Sequence, residues 1–597
     1  MRDLSLSSLI IASMASGESP LKALNELIAD PQKLKEAGGL SRALLQRIPL
    51  KREERQRFCS SLADAHNAGK IDLVAEFALL RNGNEGPNFF STRQVFVETF
   101  PELKTDCVNV AKTVAHLVIE AGADVTASSP LWAFRTYLDQ DSKRPVEILT
   151  AIEADPSSLA ILLPVTAAAG FDLDRPRFID EVVRLTKVPD ELLQRMAVAA
   201  LANLPVPADE ADIPPQVLSA LESAGASSND DGVLAASLSG ALTLSSKNKL
   251  ALPRLTEVVR LALKKGGDWT LGMAAGIYAT DVDKLDISLV ELLSENLKSR
   301  ANEGALSGID LGISSLLNSS NRSLGLEVLE ELLKRFSQSV VLKNFQSAKS
   351  VITSTSELQS YVVTRWLASG DPILCKAAAD AVQNVARADI SIDADAAQLD
   401  FQDEVSIVFI ARKATGYLFF SPVAAASFLI SLMRGGVVEP IKQLLLDPLL
   451  LNYTGSVREL LQQRTGSETG EVLEALRDCL ERIDAYLAAL GTASGIKELR
   501  MSEEQQAIFK RSLSQKISKS FEEAQAELPL LSLLKRSVVL YGRGSVQHVA
   551  RQDGSIHRAD MMFKTHGTEF TFPRMMHIDE LGLHFLLRVL RAEKRVK

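Results

Sequence analysis

Cysteine is scarce in this chain. Four residues in 597, Cys59, Cys107, Cys375 and Cys479, stand far apart and form no CxxC pair. That spacing excludes a disulfide framework and a cysteine-based zinc site, and it fits free thiols in a reducing cytoplasm. Aromatic residues are few as well, at 5%. Abundant Leu and Ala in their place favour helix-on-helix packing over a β-sandwich. No GxxxxGK[ST] loop, GxSxG elbow, kinase motif set, HxH or HExxH is present. Gly542-Arg543-Gly544 is only half of a dinucleotide fingerprint and lies between strand patterns rather than before a helix. The chain is therefore read as non-enzymatic, with no catalytic residue, cofactor or metal assigned.

Long apolar runs are missing too. The N-terminal stretch MRDLSLSSLIIASMASGES has one Arg, neutralised by Asp3, and a short apolar run broken by serines. It reads as an amphipathic helix, not a signal peptide. Ala414 to Met433 carries no charge, but Ser421-Pro422 divides it into two buried helices rather than one span: a capping oxygen, then a proline whose missing N–H is not needed. A cytoplasmic protein with no membrane contact is expected.

What the chain does have is one short amphipathic helix after another. Hydrophobic residues make up 46% and charged residues 24%, ordinary globular usage. Helix starts are announced by a capping residue plus proline at Ser19-Pro20, Asp30-Pro31, Ser129-Pro130, Asp155-Pro156, Asp371-Pro372 and Ser421-Pro422. In ALPRLTEVVRLALKKGG, Leu255, Val258, Val259, Leu261 and Leu263 define one face, and Lys264-Lys265 before Gly266-Gly267 end the helix. In SLGLEVLEELLKRF the broad face is Leu324, Leu326, Val328, Leu329 and Leu332. Connections are short, so neighbouring helices run antiparallel. The fold class expected is mainly α: an α-solenoid of stacked antiparallel helix pairs with a small C-terminal antiparallel β-meander plus helix.

Part of the first third resembles ankyrin repeats. Ser60-Ser61-Leu62 stands where the family's Thr-Pro-Leu opens a helix. Gly122-Ala123-Asp124-Val125 resembles the loop after the second helix, Ser129-Pro130-Leu131-Trp132 the next start, and Pro145 to Pro156 closes that unit. The likeness covers degenerate units near 60–156; the pairs that follow look more like HEAT or armadillo units. Stacked helix pairs are implied either way.

Compositional breaks divide the chain. Pro205 to Pro215 is proline-rich and acidic, and Ala388 to Glu404 is acidic, without helical period and read as a solvated linker. It lacks the glycine of a calcium loop. Asn229-Asp230-Asp231-Gly232 reads as a turn and helix cap. The regions expected are 1–205, partly ankyrin-like; 206–390, HEAT-like; 400–500, helical; and 501–597, a long helix over about Met501 to Lys535 followed by the meander and a closing helix.

The tail differs in charge. From Lys535 to Lys597 there are 12 Lys and Arg against 6 Asp and Glu, within a chain of net charge −9. The basic end is expected to meet something acidic, either a partner or the acidic body of its own chain. Asp553-Gly554 and His566-Gly567 are two-residue turn signals. Pairing outward sets Ala550 opposite His557, Phe563 opposite Phe570 and Met561 opposite Phe572, with His548 and His557 on one face. Leu583, Leu586, Leu587 and Leu590 of the closing helix then cover the apolar face. The candidate contacts for phosphate or an acidic partner are Arg551, Arg558, Lys564, Arg588, Arg591, Lys594 and Arg595. Five of the seven histidines lie in this tail, yet without cysteine or ligand spacing they make no metal site.

The function expected is a scaffold or adaptor that binds a protein partner along its helical surface, with the basic module as a second contact. One alternative is a nucleic-acid-associated subunit gripping phosphate through the tail. The other is an enzyme using tail histidines as acid–base groups.

Overall fold

A computed structural model describes residues 52–82, 88–122, 129–202, 204, 213–383, 390–493, 495–496, 501–526, 544–550, 556–562 and 573–595. The protein is mainly helical and divides into two compact units. The first runs to Phe336 and includes Asn344–Val351; the second comprises Ser337–Lys343 and everything from Ile352. The division falls inside the 206–390 stretch.

The first unit contains α1 (Arg52–Asn67), α2 (Asn88–Thr99), α3 (Cys107–Ala121), α4 (Ser129–Asp139), α5 (Arg144–Ala154), α6 (Leu163–Leu173), α7 (Arg175–Leu185) and α8 (Glu191–Ala202). It continues with α9 (Pro215–Ser227), α10 (Asp231–Lys247), α11 (Leu252–Lys265), α12 (Asp268–Asp281), α13 (Ile287–Arg300), α14 (Leu306–Leu317), α15 (Arg322–Arg335) and α16 (Gln346–Ile352). Packing is repeat-like. Each even-numbered helix from α6 to α14 packs on the next even-numbered one, and each odd-numbered helix from α7 to α15 on the next odd-numbered one, with hairpins joining the two layers. In α11, Leu255, Val258, Val259, Ala262 and Leu263 are buried while Leu261 is only half-buried. Ser60–Leu62, expected to open a helix, lies within α1.

Two sets of long-range caps stitch these layers. A helix leaves its last four carbonyls without partners. Lys265 donates to the Ala226 carbonyl, Arg300 to those of Leu263 and Gly266, and Arg335 to that of Lys298 at 2.9 Å. The three cations stand 35 residues apart (265, 300, 335), each at the end of its helix and each capping the preceding helix of its layer. At N-termini the donors find aspartates. Asp310 accepts from the amides of Ser347 and Ala348, both at 2.9 Å, and so caps α16 from α14.

The even layer packs tightly because glycine allows it. A Cβ on Gly312 would lie 2.5 Å from the Tyr278 carbonyl oxygen, and one on Gly308 2.8 Å from that of Ala275. Only glycine lets α14 approach α12 this closely.

The second unit contains α17 (Ser356–Ser369), α18 (Pro372–Val382), α19 (Glu404–Leu418), α20 (Pro422–Met433), α21 (Ser456–Arg464), α22 (Gly470–Ala493), α23 (Glu503–Ala526), β1 (Gly544–Ala550), β2 (Ile556–Met562) and α24 (Glu580–Ala592). The uncharged run is indeed two helices, and Val423 to Met433 are all buried. Pro422 opens α20, but the Ser421 hydroxyl makes no capping bond. Among the described residues α20 is too short to cross a membrane, and one stretch, Pro156–Leu173, is long and apolar enough by length and composition to do so, with half of it buried.

Three tail and linker expectations are corrected. The three-stranded meander is not seen: the described residues hold one antiparallel pair, and Phe563 of the expected second strand and Phe570 and Phe572 of the expected third fall outside them. The pair is also shifted. Ala550 faces Ile556 and Val549 faces His557, one residue off the expected register. A one-residue slip exchanges the faces, so His548, opposite Arg558, and His557 fall on opposite faces. Finally, the acidic stretch is no solvated linker. Ile392 is buried; its amide donates to Ser427 Oγ at 2.8 Å, and that hydroxyl contacts the Ile392 carbonyl at 2.9 Å. The Ala394 amide donates to Ser431 Oγ at 2.7 Å and the Asp395 amide to Thr364 Oγ1 at 2.9 Å. Hydroxyls of α20 and α17 stand in for a strand partner. Asp393 then pairs with Arg434 at 2.9 Å and Arg464 at 3.0 Å. Of the long helix expected to Lys535, α23 ends at Ala526; the rest lies outside the described residues.

Candidate interaction surfaces

The basic residues singled out in the sequence do not share one surface. Arg551 and Lys564 lie outside the described residues, and Arg558 stands on β2. Arg588 and Lys594 are exposed. Arg591 and Arg595 are spent on their own chain. Arg591 Nε donates to the Gly416 carbonyl at 2.6 Å, and its guanidinium lies 5.4 Å from the Tyr417 ring centroid. Burial lowers its pKa. Arg595 bonds Ser406 Oγ and lies 3.7 Å from Asp403 Oδ2.

These contacts arise because α24 packs against α19. Leu583, Leu587 and Leu590 recur at helical spacing and are buried there. A Cβ on Gly416 would sit 3.1 Å from Leu590 Cβ and 3.3 Å from the Arg591 amide nitrogen, so the glycine allows close approach. Lys413, 1% exposed, donates its ammonium to the Arg591 carbonyl in the last turn of α24, where a cation suits the negative helix end. Burial lowers the Lys413 pKa. Arg412 Nη1 pairs with Glu593 at 2.6 Å just beyond the helix. Sequence reading missed Lys413 because a single lysine in an apolar run carries no partner information.

The first unit has a different surface. Its odd layer is charged: LPRLTEVVRLALKK, ISLVELLSENLKSR and RSLGLEVLEELLKR. Pairs such as Arg254–Glu222 at 2.7 Å and Lys298–Glu327 at 2.6 Å lie there at partly exposed positions, each worth ~0–1 kcal/mol. The even layer is nearly uncharged: DGVLAASLSGALTLSSK, DWTLGMAAGIYATD and LSGIDLGISSLL. In α10, α12 and α14 the only charge apart from the helix ends is Asp310, buried and committed to capping. A helix flanked in its own layer and backed by the other exposes one side. On α12 that side carries Trp269, 60% exposed, Met273, Gly272 and Gly276; on α14 it carries Ser307 and Leu311, 50% exposed. A Cβ on Gly272 or Gly276 would meet nothing within 4 Å. Arg195 of α8 stacks on Trp269 with its guanidinium carbon 4.8 Å from the ring centroid.

Two crevices lie in this unit. The larger, about 690 Å³, is lined by residues including Lys187, Glu191, Gln194, Asp230 and Asp231. Its aspartates are structural. Asp230 caps α10 through the Val233 amide at 2.8 Å, and Asp231 caps α12. The smaller, about 370 Å³, is lined by Arg55, Cys59 and Glu98 among others, and Arg55 pairs with Glu98 at 2.9 Å. Burial pushes the Cys59 thiol up to about 11, which makes it a poor nucleophile. Among the described residues no group of three metal-binding side chains converges. No protein-family model matches the chain, and no curated protein or solved structure is significantly similar to it.

Proposed function

We propose that the protein is a cytoplasmic, non-enzymatic scaffold whose first unit is an α-solenoid of HEAT-like helix pairs, and that it binds a protein partner across the even layer at α10, α12 and α14. The observation that carries this reading is the segregation of charge between the two layers. A solvated helix face normally carries Lys, Glu and Arg, as the odd layer does. The even layer instead exposes Trp269, Met273 and Leu311 beside bare glycines. Large apolar side chains with few charges are what the core of a protein interface contains. The same face offers nucleic acid a single cation, Arg195, already stacked on Trp269, and Arg591 and Arg595 are occupied elsewhere, so the phosphate-gripping alternative is the weaker one. Buried, unpaired thiols suit a reducing compartment.

The test is affinity purification of the full chain and of a Met273→Glu/Leu311→Glu variant, followed by mass spectrometry. Both sites are exposed, so unfolding midpoints should agree. The proposal expects the variant to lose specific co-purifying proteins. An unchanged set of partners at equal stability refutes the assignment of this face.

A further inference from the structure

We infer that Arg195 is the specificity residue of the even-layer face: its guanidinium, held over the Trp269 indole, takes an aspartate or glutamate side chain of the partner protein, whose large apolar residues then lie along Met273 and Leu311. The inference rests on the reading of this face as a protein-binding surface and adds what the partner must carry there.

Arg195 stands on α8 with its guanidinium carbon 4.8 Å from the Trp269 ring centroid. Its Nε is buried and makes no hydrogen bond. Among the described residues nothing else bonds to the guanidinium or pairs with it. Buried polar atoms are nearly always hydrogen-bonded, and a charge withdrawn from water needs a partner. The carboxylates close by are engaged elsewhere. Asp231 accepts from the amides of Gly267 and Trp269 and from the Thr270 hydroxyl, and Asp230 accepts from the Val233 amide. Glu191, one turn earlier on α8, lines the larger crevice.

The residues around the stack hold it in place. A Cβ on Gly232 would lie 2.7 Å from Arg195 Cδ and 3.1 Å from Trp269 Cζ3, so glycine at the start of α10 clears the space for both side chains. The bond from the Trp269 amide to Asp231 at 2.8 Å fixes the backbone under the indole. A guanidinium over an aromatic ring leaves its N–H edge open to an acceptor, and its stacked geometry is set before any partner arrives.

The occupant follows from charge and number. One guanidinium fork matches one carboxylate through two parallel bonds. A phosphate backbone takes several cations, and α10, α12 and α14 carry none away from their ends. Trp269, Met273 and Leu311 set an apolar surface beside the fork, and arginine with tryptophan is the pairing that dominates interface energetics.

The experiment selects short random peptides displayed on phage against the immobilised full chain, then measures the strongest binder by fluorescence anisotropy as a labelled synthetic peptide. That peptide is expected to carry Asp or Glu among large apolar residues. Changing its acid to the amide, or Arg195→Gln in the protein, should each weaken binding about tenfold or more. Both changes together should weaken it no further than either alone, the signature of two groups bonded to each other. Arg195 makes no hydrogen bond in the fold, so the unfolding midpoint of Arg195→Gln should match wild type; if that variant does not fold, Arg195→Lys, charged but without the planar fork, takes its place in the same cycle. Failure to enrich any peptide, a strongest binder without a carboxylate, or losses that simply add overturns the inference. Binding abolished by Met273→Glu/Leu311→Glu but indifferent to Arg195→Gln refutes the role of Arg195 and keeps the face. Binding indifferent to all three substitutions refutes both.

Discussion

Asp231, the first residue of α10, accepts hydrogen bonds from the amides of Gly267 at 2.6 Å and Trp269 at 2.8 Å, the start of α12. One carboxylate thereby fastens two consecutive helices of the even layer. It also accepts from Thr270, through Oγ1 at 2.6 Å and the amide at 3.3 Å. Asp231→Ala is expected to cost the full chain about 1–2 kcal/mol, the usual range for a lost N-cap. Chemical denaturation followed by circular dichroism measures it. Asp231→Asn, which keeps one acceptor oxygen, should fall between.

The same residue fixes a response to acid. Burial alone would raise the Asp231 carboxyl, but the Thr270 hydroxyl and the amides of Gly267, Trp269 and Thr270 outweigh it and hold the pKa below the ordinary 3.8. A depressed carboxylate gives stability that is complete above its unfolded pKa and lost as pH falls through its folded one. The unfolding midpoint should therefore fall steadily below pH 4, and Asp231→Asn should flatten part of that slope. An identical slope in the variant would assign the acid sensitivity to other groups.

The two glycine classes make a matched comparison. Gly276 on α12 faces open space, so Gly276→Ala should stabilise by about 0.5–1 kcal/mol through helix propensity alone. Gly312 on α14 touches Tyr278, so Gly312→Ala should destabilise by ~1–3 kcal/mol through overpacking. Opposite signs for one chemical change are the expected outcome of paired urea titrations.

Much of the helical pattern is legible in the sequence, because a helix is written in local periodicity and local caps. Asp155 and Asp371 cap as expected, through the Ser158 amide at 3.4 Å and the Ile373 amide at 2.8 Å, and Leu255, Val258, Val259 and Leu263 are buried. What escapes a local reading is the choice of distant partner. Nothing near Asp310 says that its acceptors serve Ser347. The 35-residue spacing of Lys265, Arg300 and Arg335 was a readable signal, but a cation at the end of a helix already has a local explanation in the helix dipole. The leucines of α24 are equally suited to a sheet or to another helix, and only Gly416 and Lys413, far upstream, favour α19. Asp553-Gly554 favours a two-residue turn, yet the ladder closes one residue away from that register.

The thiols should be silent in the native state. Burial pushes Cys107, Cys375 and Cys479 up to about 12 and Cys59 to about 11. Attack requires the thiolate, and a buried thiol of this kind is inert. A thiol reagent at pH 8 should label none of the four in the folded protein over minutes and all four in denaturant. Rapid labelling of any one would reveal local opening at that site.

The acidic strap gives the sharpest local test. Ser427 both accepts from the Ile392 amide and lies within hydrogen-bonding reach of its carbonyl, in a buried setting. Ser427→Ala leaves that amide without its partner, and a buried unsatisfied polar group costs ~1–3 kcal/mol. Ser431→Ala does the same to the Ala394 amide. Both substitutions should speed hydrogen exchange at residues 392–395 while leaving exchange in α17 and α21 unchanged, because only the strap loses its bonds. The ion pairs of Asp393 with Arg434 and Arg464 lie at partly exposed positions and cannot replace two buried bonds. Exchange at 392–395 as slow as in wild type would show that the ion pairs, not the hydroxyls, hold the strap.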